Sequence, residues 1–253
     1  MNALVDVRGV SKHYGAFRAL EDVSLKVSEG ELVSIVGPNG AGKTTLVNLI
    51  TGLLKPTSGQ VLFKGVDIGG RGPVRLAEAG MARAFQLVQV FPEMTVGETI
   101  GTAVVSRTRK RWQMLASVRK DSATQDQIAE TARIFGLERR IDTPARDLSQ
   151  GEKKLLDVAS AFALRPDVIL LDEPTSGVST AEKHGMMETL IAAAKSAGVK
   201  SIILVEHDMD LVANYSQRIV ALSEGRVLAD LPPGPFFADP LIVETVVGKR
   251  RGH

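Results

Sequence analysis

The sequence contains no cysteine, which excludes a disulfide framework and thiolate metal sites and is compatible with a reducing cytoplasm. It also lacks a charge excess: 31 basic and 29 acidic residues leave a formal net charge of +2, with no long block of one sign. Charge alone therefore does not indicate a nucleic-acid partner. Apolar runs such as Val168–Leu171 are far shorter than the ~20 residues of a membrane-spanning helix. Since the N-terminus does not resemble a signal peptide either, we expect a soluble protein, which a partner can hold at a membrane.

The size and apolar content are sufficient for a substantial core. At 253 residues and 44% hydrophobic composition, the chain suits one large α/β domain or a core with an inserted subdomain. We find no internal repeat and no low-complexity segment.

The most informative stretch is Gly37–Thr44, whose sequence GPNGAGKT has the spacing G-x-x-x-x-G-K-[ST]. It follows the apolar run Leu32–Val36, which predicts a buried parallel strand, and it precedes a predicted helix over Lys43–Leu53. By chance the spacing arises in only about one chain in a hundred of this length. Strand, glycine loop and helix together indicate a phosphate-binding loop rather than an ordinary turn.

The chemistry of that loop follows from its residue types. Glycines let backbone N–H groups converge on an anion, and the start of the helix adds about half a positive charge at the same point. We expect Lys43 to reach the β- and γ-phosphates of a nucleotide, and the Thr44 hydroxyl to bind Mg²⁺.

Two adjacent carboxylates end a second apolar run. Val168–Asp172 predicts a buried strand, and Glu173 and Pro174 follow it directly. Ligands of α/β sheets bind at the carboxyl ends of the strands, so a purely structural reason for two acids here is weak. Asp172 suits the water shell of Mg²⁺, and Glu173 suits polarisation of an attacking water.

Three further residues carry weak signals when considered alone. Tyr14 is either surface strand filler or a ring that stacks on a base. Gln86, at the end of a predicted strand over Met81–Gln86, either faces solvent or offers its amide to water or Mg²⁺. His207 follows the predicted strand Ser201–Val205, where it can reach the same phosphate.

Composition shifts between about Leu87 and Leu148, which predicts a small helical insertion. Thr95 and Glu98 form a capping box that begins one helix, and Ser149 and Glu152 form another, although a Ser-x-Gly helix start is also an anion site. The basic run Arg107–Trp112 is most simply a solvated face, with a phospholipid or partner contact as the alternative.

In this order, the pieces closely resemble the ATP-binding subunit of an ABC transporter over nearly the whole chain. The resemblance implies an α/β P-loop NTPase (RecA-like) core with an antiparallel β subdomain and an inserted helical subdomain. It further implies a single domain over residues 1–253, with the helical subdomain and signature motif at approximately residues 87–160. The implied ligands are ATP and Mg²⁺.

The resemblance also assigns roles residue by residue. The implied catalytic residues are Glu173, His207, Lys43 and Gln86. The implied nucleotide-binding residues are Tyr14, Gly37, Asn39, Gly40, Gly42, Lys43, Thr44, Thr45, Ser149 and Gly151. The implied Mg²⁺ residues are Thr44, Gln86 and Asp172.

The sequence departs from the family pattern at two places. The usual signature Leu-Ser-Gly-Gly-Gln here has Gln150 and Glu152 at its third and fifth positions, while Ser149 and Gly151 are retained. The segment after Pro174 usually ends in aspartate, and here Ser179 offers a hydroxyl without a charge.

Within the superfamily, Phe91–Val96, the basic insertion and Pro240–Gly248 most resemble the branched-chain amino acid importers. Urea or amide importers and the lipopolysaccharide exporter have similar subunits. The resemblance implies a second ATP-binding subunit, transmembrane permease subunits, an external solute-binding protein and a peripheral place on the cytoplasmic face of the membrane.

The other functional classes fit less well, and we expect no nucleic-acid partner. A DNA-repair ATPase needs a long coiled coil, and a translation factor of this superfamily carries two such domains in one chain. A P-loop GTPase needs a guanine-reading Asn-Lys-x-Asp pattern, which is missing here.

Overall fold

The computed structural model describes residues 3–84, 91–107 and 121–247. Two compact units divide the chain: the first contains Met1–Met81 and Lys200–His253, and the second contains Ala82–Val199. Within the described ranges, no helix combines the length and apolar character needed to cross a bilayer.

The first unit contains eight of the described strands and five of the described helices. The strands are β1 (Ala3–Tyr14), β2 (Phe17–Ser28), β3 (Leu32–Val36), β4 (Ser58–Phe63), β5 (Val66–Asp67), β8 (Ser201–Val205), β9 (Arg218–Ser223) and β10 (Arg226–Leu231). The helices are α1 (Lys43–Ile50), α2 (Pro73–Ala79), α7 (Met209–Tyr215), α8 (Pro233–Ala238) and α9 (Pro240–Val247).

One sheet of this unit is antiparallel, with the order β2-β1-β4-β5. Strand β2 has one face in the core, as the alternation of Val23–Val27 predicts: Val23, Leu25 and Val27 are buried, and the residues between them are exposed. Antiparallel sheets tolerate one solvated face, so this pattern is sufficient to fix the register.

The other sheet of this unit has β3 at its centre. Both β8 and β9 pair with β3 in parallel, and β10 pairs with β9 in antiparallel orientation. All five residues of β3 and all five of β8 are buried, as expected for parallel strands that are covered on both faces.

The second unit contains β6 (Met81–Ala84) from Ala82 onward, β7 (Val168–Asp172), α3 (Val96–Arg107), α4 (Ser122–Ile134), α5 (Gln150–Ala163) and α6 (Thr180–Ala197). Helix α3 packs against α4 and α5, and α5 also contacts α6 and β7. The Phe135 and Phe162 rings meet with their centroids 5.5 Å apart. The predicted helical insertion therefore falls within this unit, which continues beyond it to Val199.

Several predicted elements differ in extent from the structure. Helix α1 ends at Ile50 rather than Leu53, because Gly52 adopts φ +64° and the Thr51 amide closes the last turn on Val47. In α5, the apolar periodicity of the sequence predicts Leu155 on the core side, but Leu156 is fully buried and Leu155 is only half-buried. Both predicted capping boxes are confirmed.

The C-terminal helices of the first unit share a hydrophobic cluster with α7. Phe236 of α8 and Ile242 and Val246 of α9 pack with Val212 of α7 and Ile219 of β9. Phe236 has no exposed surface, so its ring contributes its full apolar area to this cluster.

Replacing the Phe236 side chain should therefore loosen the C-terminal helices. We expect Phe236→Ala to lower the free energy of unfolding by about 3–5 kcal/mol, the usual cost of truncating a buried Phe. The matched control is Leu241→Ala, since Leu241 is 75% exposed. Urea denaturation of both variants checks this, and equal midpoints would contradict the packing role of Phe236.

Candidate functional site

The predicted phosphate loop connects β3 to α1 in the first unit. Gly37 leaves the strand with φ 150°, and a Cβ there would lie 2.3 Å from the Leu222 carbonyl oxygen of β9. The N-cap residue Gly42 has φ 100°, and its Cβ would lie 2.7 Å from the Ala19 carbonyl oxygen of β2. The loop is thus packed against backbone on two sides, where only glycine fits.

Hydrogen bonds fix the same loop to the turn between β9 and β10. The Gly225 amide donates to the Ala41 carbonyl at 3.1 Å, and the Glu21 amide donates to the Gly225 carbonyl at 2.8 Å. The Ala41 amide also donates to Pro38 within the loop at 3.2 Å. This backbone network fixes the loop's curvature without using any side chain.

Lys43 is bent back over the loop. Its Nζ donates to the Gly37 carbonyl at 2.6 Å and to the Pro38 carbonyl at 3.0 Å, and the residue is only 8% exposed. An ammonium group that donates to two backbone carbonyls is held at the loop. The positive charge is thus already in place where a phosphate would lie.

The beginning of α1 is suited to an anion. The first amides of a helix have no intrahelical acceptor, and the N-cap Gly42 has no side chain with which to bind them. The first turn, which contains Thr44 and Thr45, has no acidic residue to neutralise the positive end of the helix dipole. Asn39 and Gly40, at the outer side of the loop, are exposed.

Tyr14 lies at the end of β1, where it pairs with Phe17 across the hairpin. Tyr14 is 48% exposed, and the Lys12 ammonium lies 5.2 Å from the centroid of its ring. Phe17 stands two strand positions, or about 7 Å, before Ala19. Ala19 is the residue whose carbonyl oxygen leaves no room for a Cβ at Gly42. The hairpin therefore presents an exposed aromatic ring close to the loop.

His207 leaves the parallel sheet at the same edge as the loop. Ile35 of β3 pairs with Val205 of β8, and Gly37 and His207 each follow two residues later. The imidazole is exposed, and the His207 amide donates to Oε2 of the buried Glu206 at 3.0 Å. Strand register alone brings His207 beside the start of the loop.

The carboxylates Asp172 and Glu173 belong to the second unit, at the end of the fully buried β7. Glu173 has φ +51°, in the left-handed region that non-glycine residues rarely adopt. The Ser176 amide donates to the Glu173 carbonyl at 3.1 Å, which closes a turn with Pro174 at its second position. Such strain is often found at functional sites.

Asp172 is 8% exposed and forms an ion pair with Arg83 of β6. Sequence reasoning did not single out Arg83. The available signal was an arginine in the otherwise apolar segment Met81–Ala84, since a charge on a buried strand needs a counter-ion.

Ser149 is the N-cap of α5. Its hydroxyl accepts from the Glu152 amide at 3.2 Å, and Glu152 Oε2 accepts from the Ser149 amide at 2.8 Å. A Cβ at Gly151 would have no other atom within 4 Å, so the backbone there is open to a ligand. The departure to glutamate at the fifth signature position thus completes the cap.

A second residue that sequence reasoning did not single out connects α5 to the turn after Glu173. Lys154 is 6% exposed, and its Nζ donates to the Ser176 carbonyl at 2.7 Å. Ser179, which stands where the family usually has aspartate, donates its hydroxyl to Glu182 Oε2 at 2.5 Å.

Gln86 lies outside the described residues, as do residues 108–120 of the basic insertion. The other predicted site residues fall into two groups: Tyr14, the loop and His207 in the first unit, and Asp172, Glu173, Ser149 and Gly151 in the second.

The oxygen donors fit Mg²⁺ brought by a nucleotide. No group of three acidic or histidine side chains within the described ranges could hold a metal ion by itself. A hydroxyl such as Thr44 and a carboxylate such as Asp172 are nevertheless the ligands that Mg²⁺ uses beside phosphates and waters.

The chain matches the family described as ABC transporter over residues 20–176. It is 32% identical to the high-affinity branched-chain amino acid transport ATP-binding protein BraF of Pseudomonas aeruginosa, over 97% of this chain and 98% of that protein. The corresponding protein LivG of Escherichia coli gives the same identity and coverage.

Solved structures of ATP-binding cassettes are also similar to this chain. The ADP conformation of MJ1267, an ATP-binding cassette of an ABC transporter, superposes with a TM-score of 0.83 at 27% identity, covering 98% of this chain and 100% of that one. MJ0796, solved as a dimer bound to ADP and Pi, superposes with a TM-score of 0.76 at 26% identity, covering 90% and 98%.

The packing around Gly42 predicts that alanine substitutions at Gly42 and at a matched control glycine have different effects on hydrolysis. Gly42→Ala should lower nucleotide hydrolysis roughly 10²-fold, because the Cβ displaces the loop and a ~1 Å misplacement is enough for such a loss. Gly65→Ala is the control, since Gly65 has a similar φ of 78° but open space around it. Steady-state hydrolysis assays compare the two, and equal losses would show that backbone strain alone is responsible.

The cap of α5 predicts that the free energy of unfolding depends on pH. The Ser149 amide, the Ser149 hydroxyl and Arg140 together hold the pKa of Glu152 below its usual value, against the opposing effect of burial. The stability that this charge provides is fully present above the unfolded-state pKa of about 4.3 and is lost as pH falls through the lower folded-state pKa.

Glu152→Gln keeps a capping side chain and removes the charge. We expect this substitution to lower the free energy of unfolding by about 0.3–1 kcal/mol at pH 7, as for the loss of one charge at a helix start. At the acid end, the variant and the wild type should have the same free energy of unfolding. Urea denaturation across pH 3–7 measures both curves, and a constant difference between them would contradict the assignment.

Proposed function

This chain belongs to the ABC transporter family of ATP-hydrolysing subunits, and we propose that it powers uptake of branched-chain or related amino acids through partner membrane subunits. The observation that supports this proposal best is the match to BraF and LivG, which covers 97% of this chain. We further propose that the chain is peripheral, at the cytoplasmic face of the membrane, and that an external solute-binding protein supplies the substrate.

For nucleotide binding, we propose that the loop amides and Lys43 hold the phosphates while Tyr14 stacks on the adenine. Asn39, Gly40, Gly42 and Thr45 would complete the contacts of the loop. Since Lys43 already lies on the loop carbonyls, binding requires a short movement of its ammonium rather than the recruitment of a distant charge. Little side-chain conformational entropy is therefore lost on binding.

For hydrolysis, we propose Glu173 as the base that polarises water and His207 as a second contact to the γ-phosphate. Thr44, Gln86 and Asp172 are the residues proposed to hold Mg²⁺, which would neutralise charge on the phosphates. The strained backbone at Glu173 supports this role, because such a conformation persists only where its surroundings fix it.

We propose that a second ATP-binding subunit, identical or paralogous, completes each site. Ser149 and Gly151 of one subunit would contact the γ-phosphate bound by the other, through the open helix start of α5. MJ0796, a dimer bound to ADP and Pi, supports this arrangement by similarity.

The proposed base gives a prediction for both hydrolysis and assembly. Glu173→Gln keeps the side chain's size and removes the base, so turnover should fall ~10²–10⁴-fold while ATP affinity stays near that of the wild type. The slowed subunit should then accumulate as a dimer in saturating Mg-ATP, and adding Ser149→Arg should prevent dimerisation. Steady-state assays and sedimentation measure the two effects, and turnover within twofold of wild type would remove Glu173 from this role.

The transported substrate is tested on the native complex. Co-purification of the subunit with its membrane partners, followed by a ligand screen of the associated solute-binding protein, should identify leucine, isoleucine or valine. Uptake of labelled leucine should also stop in cells that carry Glu173→Gln. A binding protein selective for urea or an amide, or a lipopolysaccharide-export phenotype, would replace the amino acid assignment and keep the ATPase assignment.

A further inference from the structure

The ion pair between Arg83 and Asp172 lies where the proposed function needs a free carboxylate. Arg83 Nη2 lies 2.5 Å from Asp172 Oδ2, and each side chain is only 10% exposed. The contact is a charge-assisted hydrogen bond inside the second unit, between the short strand β6 and the end of β7.

Because both side chains are largely buried, the charge of each needs the other to compensate it. A carboxylate that is removed from water is unfavourable unless a cation or hydrogen-bond donors compensate its charge. Among the residues that the structure describes, Arg83 is the cation paired with Asp172. The pair therefore holds the Asp172 carboxylate in place and compensates its charge.

The same pair opposes a metal ion. A Mg²⁺ that uses Asp172 through its water shell would meet a guanidinium already bonded to that carboxylate, and like charges repel strongly where water is largely excluded. Arginine does not lose its proton in proteins, so this repulsion cannot be relieved by deprotonation. It is relieved only if the guanidinium gives up part of its contact with Asp172.

We propose that Arg83 is the counter-ion with which Mg²⁺ competes for Asp172, so that Arg83 sets the Mg²⁺ concentration at which the nucleotide site loads. This inference rests on the proposed role of Asp172 in holding Mg²⁺. It concerns Arg83, which has no part in the proposed function. Arg83 acts through Asp172 as a positioning residue, and its effect is on metal affinity rather than on the hydrolysis step.

The test compares two arginines that each form an ion pair. Arg83→Gln removes the charge and keeps a hydrogen-bond donor, whereas Arg226→Gln removes a 64% exposed arginine that pairs with Glu21. The measurement is calorimetric ADP binding at increasing Mg²⁺, with a parallel series in EDTA. We expect the Mg²⁺ midpoint to fall roughly tenfold in Arg83→Gln, as for removal of one nearby charge, and to stay unchanged in Arg226→Gln. A midpoint for Arg83→Gln that is unchanged or raised overturns the proposal.

A measurement on the wild type does not depend on the stability of a variant. The NMR signal of the Arg83 guanidinium, assigned by its absence in Arg83→Lys, should shift when Mg²⁺ is added to the ADP complex and stay in place with ADP in EDTA. A signal that Mg²⁺ leaves unmoved also overturns the proposal. Arg83→Lys retains the charge and should keep a Mg²⁺ midpoint near that of the wild type.

Asp172→Asn separates this inference from the proposed function. If ADP binding in Asp172→Asn retains the wild-type Mg²⁺ midpoint, Asp172 does not hold the metal, and both the Mg²⁺ role and the competition fail. If that midpoint rises while Arg83→Gln equals the wild type, only the competition fails. The leucine uptake assay is independent of both results.

Discussion

The packing of the phosphate loop against backbone is the constraint on which the rest of the first unit depends. Gly37 and Gly42 lie against the carbonyls of Leu222 and Ala19, so the shape of the loop depends on the positions of strands β9 and β2. The hairpin that carries Tyr14 leads into β2, and the parallel strand that leads to His207 pairs with β3, from which the loop leaves. Residues far apart in the chain are thus aligned by backbone packing, which side-chain changes at the surface leave intact.

Charge in this protein is held in place before any ligand arrives. Lys43 lies on two loop carbonyls, Glu152 closes the cap at Ser149, and Arg83 compensates the buried Asp172. Each arrangement satisfies a polar group that would be costly to leave alone. Under the proposed function, each arrangement is also one whose contacts a nucleotide, a second subunit or a metal ion would exchange for its own.

Much of the fold and of the candidate site could be predicted from local pattern. The G-x-x-x-x-G-K-T spacing after an apolar run, the capping boxes at Thr95 and Ser149, and the alternation in Val23–Val27 each report short-range geometry. The extent of α1 could not be predicted to the residue, because Gly52 ends it through a left-handed turn. Leu155 and Leu156 are adjacent apolar residues, and only packing decides which of them is buried.

The sequence by itself determined the motifs and the family: the glycine loop, the paired acids Asp172 and Glu173, and the order in which they follow one another. Local spacing carries that information because phosphate and metal chemistry needs particular residue types a few positions apart. Only the tertiary structure decided that Arg83 pairs with Asp172, 89 positions away, and that Lys154 bonds the carbonyl of Ser176. Such contacts depend on which buried strands and helices meet, and an arginine or lysine in a sequence does not reveal where its charge is compensated.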